Sequence, residues 1–139
     1  TPKIAKSILK HIENKEINKP YPCKAIFPPI KTGDKEWHSY FSKCLAKDPY
    51  QYLNGGVWPF IGAFYIVALV KVEEYEKAER ELNNLTEANK LGKEREWEFN
   101  EWLDGKNGEP KGVPFQAWSA GTFIYACECL KSKKVLFFN

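Results

Sequence analysis

The sequence predicts an all-α protein built as an array of α-hairpins. Three observations carry this. Residues 57–70 and 115–130 are apolar nearly all round, which marks helices enclosed on most sides. Between them, residues 72–91 repeat apolar side chains at helical spacing and carry charge on the opposite face. The remaining sequence is punctuated by Pro and Gly, with turn signals concentrated in a stretch, residues 95–113, that reads as a small β-hairpin or irregular loop. At 139 residues the chain suits a single domain spanning 1–139.

Taken in order, residues 2–16 form an amphipathic helix. Thr1 is positioned to cap it, Pro2 suits its first turn, and Ile4, Ile8, Leu9 and Ile12 form the apolar stripe. Residues 18–56 hold Pro20, Pro22, Pro28, Pro29 and Pro49, which break any long helix. Trp37, Tyr40 and Phe41 allow one or two helical turns there, and the segment is too aromatic for a disordered linker. Gly55-Gly56 opens the first enclosed helix, with Pro59 in its first turn. The following outer helix buries Val72, Tyr75, Ala78, Leu82 and Leu85. Its charged face sets Glu73 against Lys77 and Glu76 against Arg80, four residues apart, and Gly92 ends it. Asp104-Gly105 and Asn107-Gly108 mark turns. Pro114 precedes the second enclosed helix, in which Gly121 permits close helix contact, and residues 135–138 form a short apolar tail. Enclosed helix, outer helix, loop and enclosed helix is the order of an α-hairpin array.

Composition excludes several function classes. The net charge of +3 is spread as Lys interleaved with Glu, with no basic run, so no nucleic-acid partner is expected. The run at 57–70 is about 14 residues, too short to span a bilayer, and Pro59 and Gly62 interrupt it, so no membrane partner is expected. Cys127 and Cys129 diverge on one helix and cannot share a metal; Cys23 and Cys44 lie in loops and could pair in an oxidising compartment, but nothing else points to secretion, so they read as reduced thiols and the expected location is the cytoplasm. His11 reads as a surface residue, and His38 lies in the aromatic loop without a partner pattern. With no metal cluster, nucleophilic triad or phosphate-cradling loop, the chemistry needs no cofactor.

What remains is a concentration of carboxylates, indoles and an amide between Trp97 and Ser119. A carboxylate can deprotonate water, flat rings can stack on sugars, and amides can bond hydroxyls. Five acidic residues lie between Glu94 and Asp104. Of these Glu101 is the candidate base, Glu98 the fallback, and a solvated loop the plain alternative. Asp104 either bonds a sugar hydroxyl or holds an Asp-Gly turn. Asn54 either contacts a ligand across the flanking glycines or caps the helix. Trp58 and Trp118 begin the two enclosed helices and are either sugar platforms or core. Gln116 has little reason to stand beside an apolar run unless it bonds something, and Tyr52 and Trp102 are weaker candidates.

Four segments resemble one clan of glycoside hydrolases. Tyr50-Gln51-Tyr52-Leu53-Asn54-Gly55-Gly56-Val57-Trp58-Pro59 resembles the Asn-Gly-Gly-x-Trp-Pro motif of the alkaline/neutral invertases, and similar segments occur in amylo-α-1,6-glucosidase-like debranching proteins. Glu101-Trp102-Leu103-Asp104-Gly105 resembles their Glu-x-x-Asp-Gly segment, and Phe115-Gln116-Ala117-Trp118-Ser119 their Gln-(Ala/Thr)-Trp-Ser segment. Pro29-Ile30-Lys31-Thr32-Gly33-Asp34, followed by Trp37, is similar to the lead-in. The four agree in order across residues 25–131. Leu53 departs from the pattern, standing where many relatives carry His.

The resemblance implies an (α/α)6 toroid of six helical hairpins with its active site at the starts of the inner helices, of which this chain would supply a C-terminal portion. It implies that Glu101 is the base of an inverting enzyme, acting on sucrose or another α-glucosidic bond, and that an Asp on an earlier hairpin is the acid. The expected partners are a carbohydrate substrate and either a second copy of the chain (a homo-oligomer) or the rest of the toroid. The rival reading is a non-catalytic carbohydrate-binding or scaffold module derived from such an enzyme, and a third is a plain helical interaction domain. The hydrolase reading requires the starts of the two enclosed helices and the acidic turn to meet at one hollow.

Overall fold

The computed structural model describes residues 1–137. Four α-helices account for the regular structure: α1 (Pro2–Asn14), α2 (Pro59–Lys71), α3 (Tyr75–Lys90) and α4 (Ala117–Ser132). A two-stranded antiparallel sheet joins β1 (Trp102–Leu103) to β2 (Pro110–Lys111), pairing Trp102 with Lys111 and Leu103 with Pro110. The expected hairpin around the Asp104-Gly105 and Asn107-Gly108 turns is therefore present. The long connection between α1 and α2 holds only two short 3-10 turns, Ser39–Lys43 and Leu45–Lys47.

The core is a three-helix layer. α2 packs against both α3 and α4, and α3 also touches α4. Ile66, Leu69 and Ala63 of α2 meet Leu85 and Ala78 of α3 and Ala126 and Cys129 of α4, all essentially sealed from solvent. α2 and α4 begin at the same end of the layer, where α3 finishes, because one loop segment bonds to all three ends (below). Two apolar helices running in parallel with an amphipathic one antiparallel to them is the α-hairpin order read from the sequence, but only α2 is enclosed as expected; α4 buries Ser119, Ala126 and Cys129 and leaves Trp118 and Ile124 exposed.

Several details differ from expectation, each for a local reason. α1 ends at Asn14, and its N-cap residue Thr1 makes no side-chain cap bond. Its stripe is only half covered: Leu9 is buried and Ile12 partly so, whereas Ile4 and Ile8 are more than half exposed. α3 starts at Tyr75 because Glu73 takes a left-handed backbone (φ 65°) that a helix cannot accommodate. The expected pairs four apart do not form. Lys77 and Arg80 instead reach Glu13 of α1 at 3.2 and 3.1 Å, so the charged face of α3 fastens α1, alongside closer-spaced pairs of its own such as Lys77 with Glu74 at 3.6 Å. α4 starts at Ala117 because Phe115 is left-handed (φ 61°). Gly121 faces open space and makes no close helix contact. Val135 and Leu136 of the tail pack on the core; Phe138 lies outside the described residues.

The start of α2 is threaded through the irregular segment before it. Trp58 N–H donates to Cys23 O and Ala25 N–H to Gly56 O, both at 3.0 Å. Gly62 sits under this crossing, where a Cβ would stand 2.2 Å from Pro22 O. Glu81 of α3, sealed from solvent, accepts from Asn18 Nδ2 at 2.9 Å and ties the same segment to the helical layer. The four cysteines are free thiols. Burial, then the nearby charge of Glu81, pushes the Cys23 thiol far above its ordinary range, so it stays protonated and inert.

Gly62→Ala should therefore destabilise the fold by about 1–3 kcal/mol through overpacking against main chain, read as a lower urea midpoint at unchanged slope.

Candidate active site

Residues 97–103 form a strap across the ends of three helices. On the α3 side, Trp97 N–H donates to Lys90 O (3.2 Å) and Asn100 Nδ2 to Leu91 O (2.7 Å). On the α4 side, Phe115 N–H donates to Glu98 O, Gln116 N–H donates to Phe99 O (3.0 Å) and Ser119 Oγ to Asn100 O (3.3 Å). On the α2 side, Val57 and Leu103 exchange both backbone hydrogen bonds, at 2.9 and 2.8 Å. Glu101 thus lies one residue from the nearest anchor to α4, at Asn100, and two from the anchor to α2, at Leu103. The acidic turn and both apolar helix starts converge at one end of the molecule.

The carboxylate of Glu101 is half-buried. Val113 N–H donates to its Oε2 at 3.3 Å, while its own N–H donates to Val113 O at 2.9 Å. Among the described residues it forms no ion pair, and Oε1 has no hydrogen-bond partner. Gly112, with φ 70°, packs against it: a Cβ there would come within 2.6 Å of Oε2. The pairing of β1 with β2 is what brings this glycine beside the carboxylate.

The neighbouring carboxylates are committed to backbone. Glu98, almost fully buried, accepts from Lys93, Glu94 and Arg95 N–H at 2.9, 2.9 and 3.2 Å. Those bonds, chiefly from Lys93 and Glu94, hold its pKa below the ordinary 4.5. Asp104 accepts from Lys106 and Asn107 N–H at 2.8 and 3.2 Å, closing its turn, and from Gln51 Nε2. Burial pushes its pKa upward, but these hydrogen bonds and the charge of Lys111 prevail and hold it below the ordinary 3.8.

Asn54 is buried and fully engaged. Its Oδ1 accepts from Ile30 N–H (2.7 Å), and its Nδ2 donates to Ile30 O and Ala46 O (2.9 and 3.1 Å). It organises the loop rather than capping a helix; the N-cap of α2 is Trp58. Trp58 itself is buried, donates Nε1–H to Tyr52 O (3.1 Å), and packs against the Tyr52 ring at 5.1 Å. The Tyr52 ring in turn meets the edge of Trp102 at 5.9 Å. Trp118, at the first turn of α4, is half exposed. Gln116 is the N-cap residue of α4, half-buried, and its side-chain amide has no partner among the described residues.

Beside the strap opens a hollow of about 770 Å³, lined by Tyr52, Trp102, Gln51, Asp48, Lys47 and Lys111 among others; Glu101, Trp58, Gln116 and Trp118 are not among its lining residues, so the strap gathers the acidic turn and the helix starts at one end without placing them in this hollow. Trp102 is buried, and its Nε1–H has no partner among the described residues. An unpaired buried donor on the wall of a hollow is costly unless a ligand or water accepts from it. The reading of the sequence passed over Gln51, Asp48 and Lys111. The signal available for them was the aromatic, Pro-rich connection, too long for a simple link. Five aromatic residues around the strap, Tyr50, Tyr52, Trp97, Phe99 and Phe115, hold positive φ angles of 46–70°. For residues other than Gly this conformation costs roughly 1–2 kcal/mol each.

The amylo-alpha-1,6-glucosidase family profile matches residues 1–125. A probable chloroplastic alkaline/neutral invertase A of Arabidopsis thaliana is 27% identical over 138 residues, 97% of this chain. The chain spans 21% of that relative's length. No described helix is long and apolar enough to cross a membrane.

Because the pKa values of Glu98 and Asp104 are lower folded than unfolded, the stability each supplies is present above its ordinary value and lost as pH falls through the folded one. Glu98→Gln and Asp104→Asn should each lower the melting temperature at pH 7 and flatten its decline on acidification below about pH 4.5, as followed by circular dichroism. Gly112→Ala should cost more than about 1 kcal/mol, from its positive φ and the contact with Glu101.

Proposed function

The chain belongs to the amylo-alpha-1,6-glucosidase family, and from that premise we propose that it contributes the general-base half of an inverting glycoside hydrolase site. Glu101 is the base, deprotonating the water that attacks the anomeric carbon. The observation that carries this is the strap: it supports a half-buried carboxylate, with one oxygen free to accept from water, between its bonds to the starts of the two apolar helices. Gln116 offers an unused amide for sugar hydroxyls, Trp118 an exposed indole for a ring face, and Tyr52 and Trp102 the wall of the adjoining hollow. Trp58, Asn54 and Asp104 act behind them by fixing those elements.

An inverting site also needs an acid about 6.5–9.5 Å from the base. Glu98 and Asp104 are occupied by backbone N–H groups, so the acid comes from outside this strap. In this reading the substrate is sucrose or an α-1,6-linked glucoside, and the remaining hairpins of a toroid complete the site. The apolar flank of the layer supports that assembly. Phe64 of α2 and Ile124 of α4 are about half exposed or more, and Phe64 lies edge-on to Tyr125 of α4. An uncovered apolar face of this kind marks an association surface.

Hydrolysis of sucrose and of α-1,6-linked glucosides by the longest native polypeptide tests the assignment. Glu101→Gln should lower kcat by roughly 10²–10⁴-fold; equal rates would remove Glu101 from the mechanism. Quenching of Trp fluorescence by sugar without turnover would instead support a carbohydrate-binding module. The 139-residue chain alone should self-associate in sedimentation velocity, and Ile124→Glu should weaken that association.

A further inference from the structure

A second hollow lies on the other side of the Asp104 turn, with a volume of about 410 Å³. That is within the range of small-molecule sites, and its character differs from the aromatic hollow. Lys15, Lys19, Lys24 and Lys106 line it, with Glu16 as the one carboxylate on its wall. Among the described residues none of these four lysines forms an ion pair. They come from three separate pieces of chain: the turn after α1, the crossing beneath α2, and the 104–108 turn. Their convergence is a product of the fold and not of a run of sequence.

Lys24 is the distinctive member. It is 9% exposed, yet its Nζ meets only neutral acceptors, the carbonyls of Glu16 (2.8 Å) and Lys19. An ammonium group has three N–H donors, so one remains. Burying a cation with no ion-pair partner is unfavourable; burial draws the Lys24 pKa below its ordinary value, and the nearby Glu16 carboxylate offsets this only in part. Three more ammonium groups around the same space raise the cost of leaving it without an anion. The other wall is Phe27 and Tyr50, with Lys24 Nζ 5.9 Å and Lys106 Nζ 6.0 Å from their respective ring centres. A cationic floor beside aromatic faces accepts a phosphate group and leaves room for an organic remainder.

We propose that this hollow is a binding site for a phosphate group, carried either as free phosphate or as a small phosphate monoester. Lys24 donates to it from below, and Lys15, Lys19 and Lys106 neutralise it from the rim. The site does not depend on the hydrolase reading, since Glu101 is not among its lining residues.

Calorimetric titration with inorganic phosphate at low ionic strength tests it. The expected result is saturable one-to-one binding in the millimolar range or tighter. Lys19→Gln and Lys106→Gln, which remove exposed charges and should leave the fold intact, should each weaken binding by about fivefold, the upper worth of one exposed ion pair. Lys131→Gln on α4, away from the hollow, should leave affinity unchanged. A parallel titration with glucose 6-phosphate identifies the source: tighter binding than inorganic phosphate marks an esterified ligand, and equal binding marks free phosphate. Absence of saturable binding, or equal weakening by Lys131→Gln, would overturn the proposal.

Discussion

The pair of backbone hydrogen bonds exchanged by Val57 and Leu103 is the constraint on which the rest of the arrangement hangs. Val57 lies one residue before Trp58, the extended N-cap of α2, and Leu103 is the last residue of the short strand β1. Both are wholly buried. Their pairing sets the height at which α2 starts relative to the acidic turn. From Leu103, the strap runs back to α4 and α3 in only a few residues. A break there would leave Glu101 attached by sequence but not by position. Hydrogen bonds of this kind, buried and made to backbone, are costly to lose because both partners would be left without water.

The strap also explains how a loop-built site is made rigid. Its acidic residues divide the work. Glu98 gathers three backbone donors, Asp104 closes a turn and grips Gln51, and Glu101 is held by one longer bond. Carboxylates saturated by N–H groups are structural anchors with depressed pKa values, whereas one with a vacant oxygen can act on a ligand. The difference among three acids within seven residues lies in the backbone around each and not in the residue type.

The helical plan was legible in the sequence because its signals are periodic and local. The all-apolar stretches, the amphipathic helix between them and the Asp-Gly and Asn-Gly turns all appear close to their expected places. Helix starts were less legible. Left-handed Phe115 and Glu73 move α4 and α3 by two or three residues, and neither residue type advertises that conformation. The ion pairs were read along one helix, while tertiary packing redirected Lys77 and Arg80 to α1. Among the candidate site residues, the position of Glu101 between two helix starts fits the motif order. The burial of Trp58 and the full engagement of Asn54 do not follow from composition, since a first-turn indole and a loop amide suit solvent or core equally well. The hollow beside the Asp104 turn was invisible for a plainer reason: Lys106 is far in sequence from Lys15, Lys19 and Lys24, and all four look like ordinary surface charge.

The left-handed aromatic residues around the strap have a consequence for how such chains diverge. Gly or Asn would adopt those angles with less strain, so the rings at Tyr50, Tyr52, Trp97, Phe99 and Phe115 persist against a standing conformational bias. Most of these rings also pack on neighbours, as Tyr52 does on Trp58 and Phe99 on Phe123, so drift to glycine would relieve the backbone strain while forfeiting the contacts that hold the strap in place.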